Sequence, residues 1–231
     1  MRAFLREQSL SLVFLALFLA SLTGQAVAGW HDYNNLETWH AAMAGETPET
    51  ISLGRYITSS SFAQAVTENW QSEYLQFTLF ILLTVWFIQK GSPESKQPGE
   101  EGGQSDAEQL VGRSAKPNSA AWAKAGGWRG WVYGNSLVLV MATVWVWSWF
   151  AQSVSGWSEN NADRLEHEQE SLSWLGYLGS SDFWQTTLQN WQSEFLAVGS
   201  MAVLSIYLRQ RGSPESKPVG TPHDTTAATA E

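Results

Sequence analysis

Two related copies of one segment follow each other in this chain of 231 residues. Residues 56–96 align without a gap with residues 177–217, and 19 of the 41 pairs are identical. Two short motifs are the same in both copies: Asn-Trp-Gln-Ser-Glu at 69–73 and 190–194, here called the polar motif, and Gly-Ser-Pro-Glu-Ser-Lys at 91–96 and 212–217, here called the glycine motif. The sequence therefore predicts an internal duplication.

Four apolar blocks are separated by polar stretches that contain Gly and Pro. A helix that crosses a bilayer needs about 20 mostly apolar residues. Many of the 14 Trp residues flank the blocks, where an indole can bury its ring and keep its N–H in water. We therefore predict an all-α membrane protein with four transmembrane helices in two parallel-topology repeats and short helices in the outer loops. The predicted spans are 8–27, 70–90, 132–151 and 191–210.

The first apolar block has the features of a secretory signal peptide, because arginines precede it and Ala26-Val27-Ala28 follows it. The same pattern recurs inside the chain, where residues 136–140 align with residues 9–13. An internal copy cannot be a signal peptide. We therefore interpret residues 8–27 as a retained membrane helix.

Composition predicts which parts lie between the membrane segments. The stretch 97–127 is rich in Gly, Glu, Gln, Ser and Ala and has few large apolar residues, so it cannot bury enough surface to fold. The predicted organisation is membrane repeat 1 at 1–96, a disordered cytoplasmic linker at 97–127, membrane repeat 2 at 128–217 and a disordered tail at 218–231.

Basic residues predict the orientation. Of the 13 Lys and Arg residues, two lie in the N-terminal segment, six in 90–131 and three in 209–231. The two remaining segments carry six and seven acidic residues, at 28–73 and 152–194. Since cytoplasmic loops are enriched in Lys and Arg, we predict a multi-pass inner-membrane protein with both termini in the cytoplasm.

Several function classes are disfavoured. Without Cys the chain has no thiolate site, and a net charge of -9 argues against nucleic-acid binding. Glu37 and His40 have the spacing of a di-iron helix pair, but the aligned second copy has Arg164 at the position of Glu37. We expect no metal, no cofactor and no enzymatic activity.

The polar motif is the first candidate site. Its Asn and Glu lie four residues apart and share a helix face, while its Gln points elsewhere. The apolar part of the last helix, residues 195–208, is shorter than the hydrocarbon core, so the motif could be drawn into the membrane. Two interpretations stay open: an ion path through paired carboxylates, or a polar clasp between the copies. The candidate residues are Asn69, Gln71, Glu73, Asn190, Gln192 and Glu194.

The glycine motif is the second candidate. Glycine followed by proline ends a helix, and that explains its sequence without a ligand. Alternatively, the six identical residues form a contact surface at the inner membrane face, with lipid phosphate near the lysines. The candidate residues are Ser92, Glu94, Lys96, Ser213, Glu215 and Lys217.

The paired motifs, together with the Ser-Leu-Ser-Leu-Val opening of the first helix, resemble those of a family of small uncharacterised bacterial integral membrane proteins built from two tandem two-helix repeats. That resemblance implies a four-span inner-membrane protein and carries no known activity. We expect a non-enzymatic protein that acts through interactions in the cell envelope. Its expected partners are the lipid bilayer and other envelope proteins or a second copy. The alternative is a small proton- or cation-coupled carrier that uses Glu73 and Glu194.

Overall fold

The computed structural model describes residues 2–227, and within them every regular element is helical. Residues 228–231 of the predicted tail lie outside the described residues. The helices are α1 (Arg2–Glu7), α2 (Ser9–Ala44), α3 (Leu53–Tyr56), α4 (Ser60–Trp86), α5 (Ala121–Lys124), α6 (Gly127–Gly134), α7 (Ser136–Glu166), α8 (Trp174–Leu178) and α9 (Ser181–Tyr207), with a 3₁₀ turn at Gly112–Ser114.

The all-helical prediction is confirmed, and two helices, α2 and α7, are long and apolar enough to cross a membrane. Helix α2 has 36 residues and continues well beyond the predicted span 8–27. Helices α4 and α9 do not meet the same standard, because the polar motif interrupts each of them and leaves only a short apolar stretch after it. Four spans therefore remain a prediction, taken up below.

Two compact units divide the described chain. Unit 1 consists of residues 2–66 and 154–172, and unit 2 consists of residues 67–153 and 173–227. Each is described by itself.

In unit 1, the loops that follow α2 and α7 are each tied back to that long helix by one asparagine. The Asn34 side chain of α2 accepts a hydrogen bond from the Ile51 amide at 2.8 Å and donates to the Ile51 carbonyl at 3.0 Å. Asn161 of α7 does the same with Leu172, at 2.8 and 3.0 Å. An asparagine amide that pairs with both groups of a peptide holds that loop residue as a neighbouring strand would.

A tryptophan adds a third bond at each of these points. The Trp30 indole donates to the Ile51 carbonyl at 2.6 Å, and the Trp157 indole donates to the Leu172 carbonyl at 2.7 Å. Polar backbone groups that leave water need such partners. The two loops, although of different length, therefore end in the same local structure.

Tyr56 is the buried aromatic residue of unit 1. It is 6% exposed, and its ring lies 5.6 Å from Phe62 and 6.0 Å from Tyr33. Its hydroxyl rests directly against Gly29 of α2, where a side chain would collide with it. The position of the Tyr56 ring therefore requires a residue without a Cβ atom at position 29.

In unit 2, aromatic side chains of α7 and α9 pack together. Trp149 lies 5.7 Å from Trp191 and 6.1 Å from Phe183, centroid to centroid. Phe183 also contacts Tyr177, the most buried aromatic of the unit, at 5.6 Å. Aromatic pairs at these spacings stabilise beyond their buried area.

Helix α4 ends earlier than the predicted span. The span was predicted to reach Lys90, but the last helical residue is Trp86. The reason lies in the chain beyond it: the Ser95 hydroxyl accepts a hydrogen bond from the Gln89 amide at 2.9 Å, and Gly91 adopts a positive φ of 88°. The glycine motif thus turns the chain back and replaces the last helical turn.

Candidate functional site

The polar motif presents its glutamine, rather than its asparagine or glutamate, to the interior of unit 2. Gln71 is fully buried, and its side-chain oxygen accepts a hydrogen bond from the Trp191 indole at 2.7 Å. Asn69 and Glu73 are exposed on the other side of α4. Residues two positions apart on a helix point in directions that differ by about 200°. When Gln71 faces the interior, Asn69 and Glu73 therefore face away from it. A direct bond therefore joins the two copies of the motif.

The second copy of the motif is less symmetric. Glu194 is half-buried, its carboxylate meets the Ser72 hydroxyl, and its charge interacts with that of Glu73. Asn190 donates to the Thr186 carbonyl one turn earlier at 2.9 Å, and Gln192 is exposed. The structure thus brings the two glutamates into electrostatic contact and separates the two glutamines.

Both glycine motifs form the same turn. The last serine of each accepts a hydrogen bond from the amide six residues earlier, Gln89 for Ser95 and Gln210 for Ser216, at 2.9 Å in both. The same hydroxyl also donates to the carbonyl of the following lysine at 3.1 Å. Ser92 and Ser213 each accept from the amide two residues later, at 3.4 and 3.2 Å. Serine hydroxyls thus pair with backbone groups of the turn that follows each helix.

The lysine of the second motif is buried, with 1% of its surface exposed. Its ammonium donates to four backbone carbonyls: Gly91 at 2.7 Å, His223 at 2.9 Å, Thr225 at 3.2 Å and Pro222 at 3.3 Å. We call this arrangement the Lys217 site. It joins the first glycine motif to the segment that follows the second.

Burial lowers the pKa of Lys217 below its usual range, and the nearby Arg209 guanidinium lowers it further, against an opposing effect of Asp224. Carbonyl oxygens carry only partial charge, so they hold an ammonium ion without neutralising it. Lys96 of the first motif likewise donates to a carbonyl, that of Gly102, at 2.6 Å. The ammonium groups of both motif lysines therefore bind backbone carbonyls of unit 2. This disfavours the interpretation in which they bind lipid phosphate.

The glutamates of the two glycine motifs lie together. Glu94 is half-buried and shares a side-chain hydrogen bond with Glu215. Burial raises the pKa of Glu94, and the hydrogen bond and the charge of Glu215 raise it further. Two carboxyls at one place cannot both ionise cheaply, so this pair favours one shared proton.

We expect this pair to make stability fall as the pH rises. A carboxyl whose pKa is raised by folding binds more protons in the folded than in the unfolded chain, so the free energy of unfolding decreases from pH 4.5 upward through the raised pKa. Glu94→Gln should flatten this decrease. Thermal unfolding followed by circular dichroism between pH 4 and 8 measures it. The exposed Glu100→Gln in the adjoining loop is the matched control, and equal slopes in both variants would contradict the assignment.

An apolar groove of 520 Å³ lies between α4 and α9, with the first glycine motif at one end. Its walls include Phe80, Leu83, Phe195 and Val198, and Glu94 lies at the motif end. Pockets of this size with apolar walls and few polar groups are typical of ligand sites.

Sequence reasoning did not find the Lys217 site or the groove. The lysine present in both glycine motifs pointed to the Lys217 site. Its four carbonyl partners, however, lie in turns, which hydrophobic periodicity does not predict. Nδ1 of His40 lies 3.4 Å from a carboxylate oxygen of Glu166. Among residues 2–227, no group of three His, Cys, Asp or Glu side chains is placed to hold a metal ion.

A family model described as a domain of unknown function, DUF6766, matches residues 1–228. No curated protein and no solved structure matches the chain. The expectation of an uncharacterised family is thereby confirmed.

Proposed function

The chain belongs to the DUF6766 family, whose function is unknown, and for it we propose a non-enzymatic integral membrane protein that acts through interactions within the membrane. In this proposal the two tandem repeats contribute two spans each, α2 with α4 and α7 with α9. Both termini and the linker face the cytoplasm, as the distribution of Lys and Arg favours. The inner membrane of a bacterium is the proposed location.

One observation carries the proposal: the two most deeply buried polar side chains of the motifs, those of Gln71 and Lys217, form hydrogen bonds with the protein itself. Lys217 donates to four carbonyls, and Gln71 pairs with Trp191. A catalytic centre keeps polar groups free to meet a substrate. After the polar motif, the exposed side chains of α4 and α9 are apolar, which suits contact with lipid, with a second copy or with other envelope proteins.

Short apolar stretches do not exclude spans at α4 and α9. From Tyr74 to Trp86 a helix rises about 20 Å, less than the hydrocarbon core of about 30 Å. The difference can be met by bilayer thinning or by taking the polar motif into the membrane, where Gln71 already has an indole partner. This supports a role for the motif as a clasp between the copies.

The carrier remains the second candidate because the charges of Glu73 and Glu194 interact. Acidic side chains close to a membrane interior are typical of proton and cation paths. Glu73 is exposed, however, and Glu194 meets a serine hydroxyl rather than a cavity. These features favour the clasp.

Labelling in cells tests the topology. Because the chain has no Cys, single cysteines placed by Asn118→Cys in the linker and Glu46→Cys in the first loop report sidedness with an impermeant maleimide in intact cells. We expect labelling at position 46 and protection at position 118. Labelling of both or of neither would contradict the proposed orientation.

For transport, purified protein in proteoliposomes should show no proton or cation flux above protein-free liposomes. A flux that Glu73→Gln and Glu194→Gln both abolish, while Glu170→Gln in an exposed loop leaves it unchanged, would replace this proposal by the carrier.

A further inference from the structure

We propose that the groove between α4 and α9 binds a single-chain amphiphile with an ammonium head group, the chain lying along the two helices and the head on Glu94. The inference rests on the proposed membrane location and names a ligand for the surface left free there. The head group is expected to be cationic because the carboxyl of Glu94 lies at the end of the groove.

The apolar walls determine the tail. Phe80, Leu83 and Phe87 of the α4 side face Phe195, Val198 and Ala202 of α9 across the groove. From Gln76 to the end of α4 the helix rises about 15 Å. A single alkyl chain of similar length therefore matches the groove in both length and polarity.

The motif end determines the head group. Of the groove-lining residues that the structure describes, Glu94 has the only ionisable side chain, and the other polar groups there are the neutral Ser92, Ser95 and Gln89. An anionic head would meet the Glu94 carboxyl and be repelled, the more so because Glu215 adds acidic charge beside it. An ammonium would donate a charge-assisted hydrogen bond to Glu94.

The lysines cannot reverse this selectivity. Lys96 donates to the Gly102 carbonyl at 2.6 Å, and Lys217 is 1% exposed within its four carbonyls. Neither ammonium lines the groove. The local charge seen by a head group is therefore acidic.

The test uses the full chain in nanodiscs of phosphatidylcholine, titrated with dodecylammonium in a calorimeter, with heats from empty nanodiscs subtracted. We expect saturable binding. Dodecanol, which has the same chain and no charge, should bind about tenfold more weakly, because a charge-assisted bond exceeds a neutral one by roughly 1.4 kcal/mol.

Two variants locate the site. Glu94→Gln should weaken dodecylammonium binding to the level of dodecanol. Ala202→Phe should fill the groove and abolish binding of both, whereas Met201→Phe, at the neighbouring exposed position of the same helix, should leave it unchanged. Helix content by circular dichroism verifies that each variant is folded.

Three outcomes would overturn the inference: no saturable binding above empty nanodiscs, equal affinity for dodecylammonium and dodecanol, or equal binding by the Ala202→Phe and Met201→Phe variants. Failure of the chain to insert into nanodiscs would overturn the membrane proposal as well. Insertion without binding would overturn the ligand alone.

Discussion

Replacing Lys217 by Met should lower the free energy of unfolding by about 3 kcal/mol, because four carbonyls lose one shared donor in a place that water does not reach. Methionine fills a similar volume but donates no hydrogen bond. Removing the ammonium also removes the cost of burying a charge, since burial disfavours the charged form and lowers its pKa. We expect this gain to be smaller than the cost of leaving the carbonyls unpaired.

Two measurements check this result. Denaturant unfolding followed by circular dichroism gives the global change. Hydrogen exchange at the Ala227 amide, which donates to the Ser92 carbonyl at 3.1 Å, reports whether the segment after the motif has come loose.

The equivalent lysine of the first copy is the natural control. Lys96→Met removes a donor from Gly102 and Val85 only, and Lys96 is less buried than Lys217. We expect a loss of about 1 kcal/mol and no faster exchange at Ala227. Equal losses in the free energy of unfolding of the two variants would mean that the Lys217 site does not hold the segment after the second glycine motif in place.

Replacing Gly29 by Ala should destabilise the chain by about 2 kcal/mol, as small-to-large changes in packed regions do. The new Cβ would collide with the Tyr56 hydroxyl and lie 3.0 Å from Cζ of the same ring. Tyr56 cannot easily move away, because it is 6% exposed and held between Phe62 and Tyr33. The gain in helix propensity from Gly to Ala, about 1 kcal/mol at most, is too small to compensate.

The same helix offers a matched control. Gly24 has no atom within 4 Å of a built Cβ, so Gly24→Ala should be neutral or slightly stabilising. Adding Tyr56→Phe to Gly29→Ala should recover part of the loss, since it removes the colliding oxygen; a double-mutant cycle on thermal unfolding measures the coupling. Absence of coupling would refute the contact.

Much of the architecture could be predicted from the sequence alone. The four apolar blocks indicated the four long helices, although α4 begins at Ser60, ten residues before the predicted span. The glycine motif was correctly taken as a place where the helix cannot continue, although the turn begins several residues earlier than Gly91. These features are local, because capping, glycine conformation and amphipathicity act over a few residues.

The candidate site was predicted less well, and the reason is geometric. Sequence spacing shows that Gln71 points away from Asn69 and Glu73, but not which of the two faces turns inward; only packing against Trp191 decides that. The sequence of the repeated motif predicts a surface charge for Lys217, whereas the structure surrounds its ammonium with four backbone carbonyls.

By itself, the sequence determined the helices, the repeated motifs and the family, since each depends on residues that are close in the chain or on a direct comparison of letters. Tertiary structure alone decided which motif side chains are buried, that Glu94 meets Glu215, and that α4 and α9 leave an apolar groove. Those contacts join residues more than 100 positions apart, and their geometry is set by how helices pack, which local sequence does not specify.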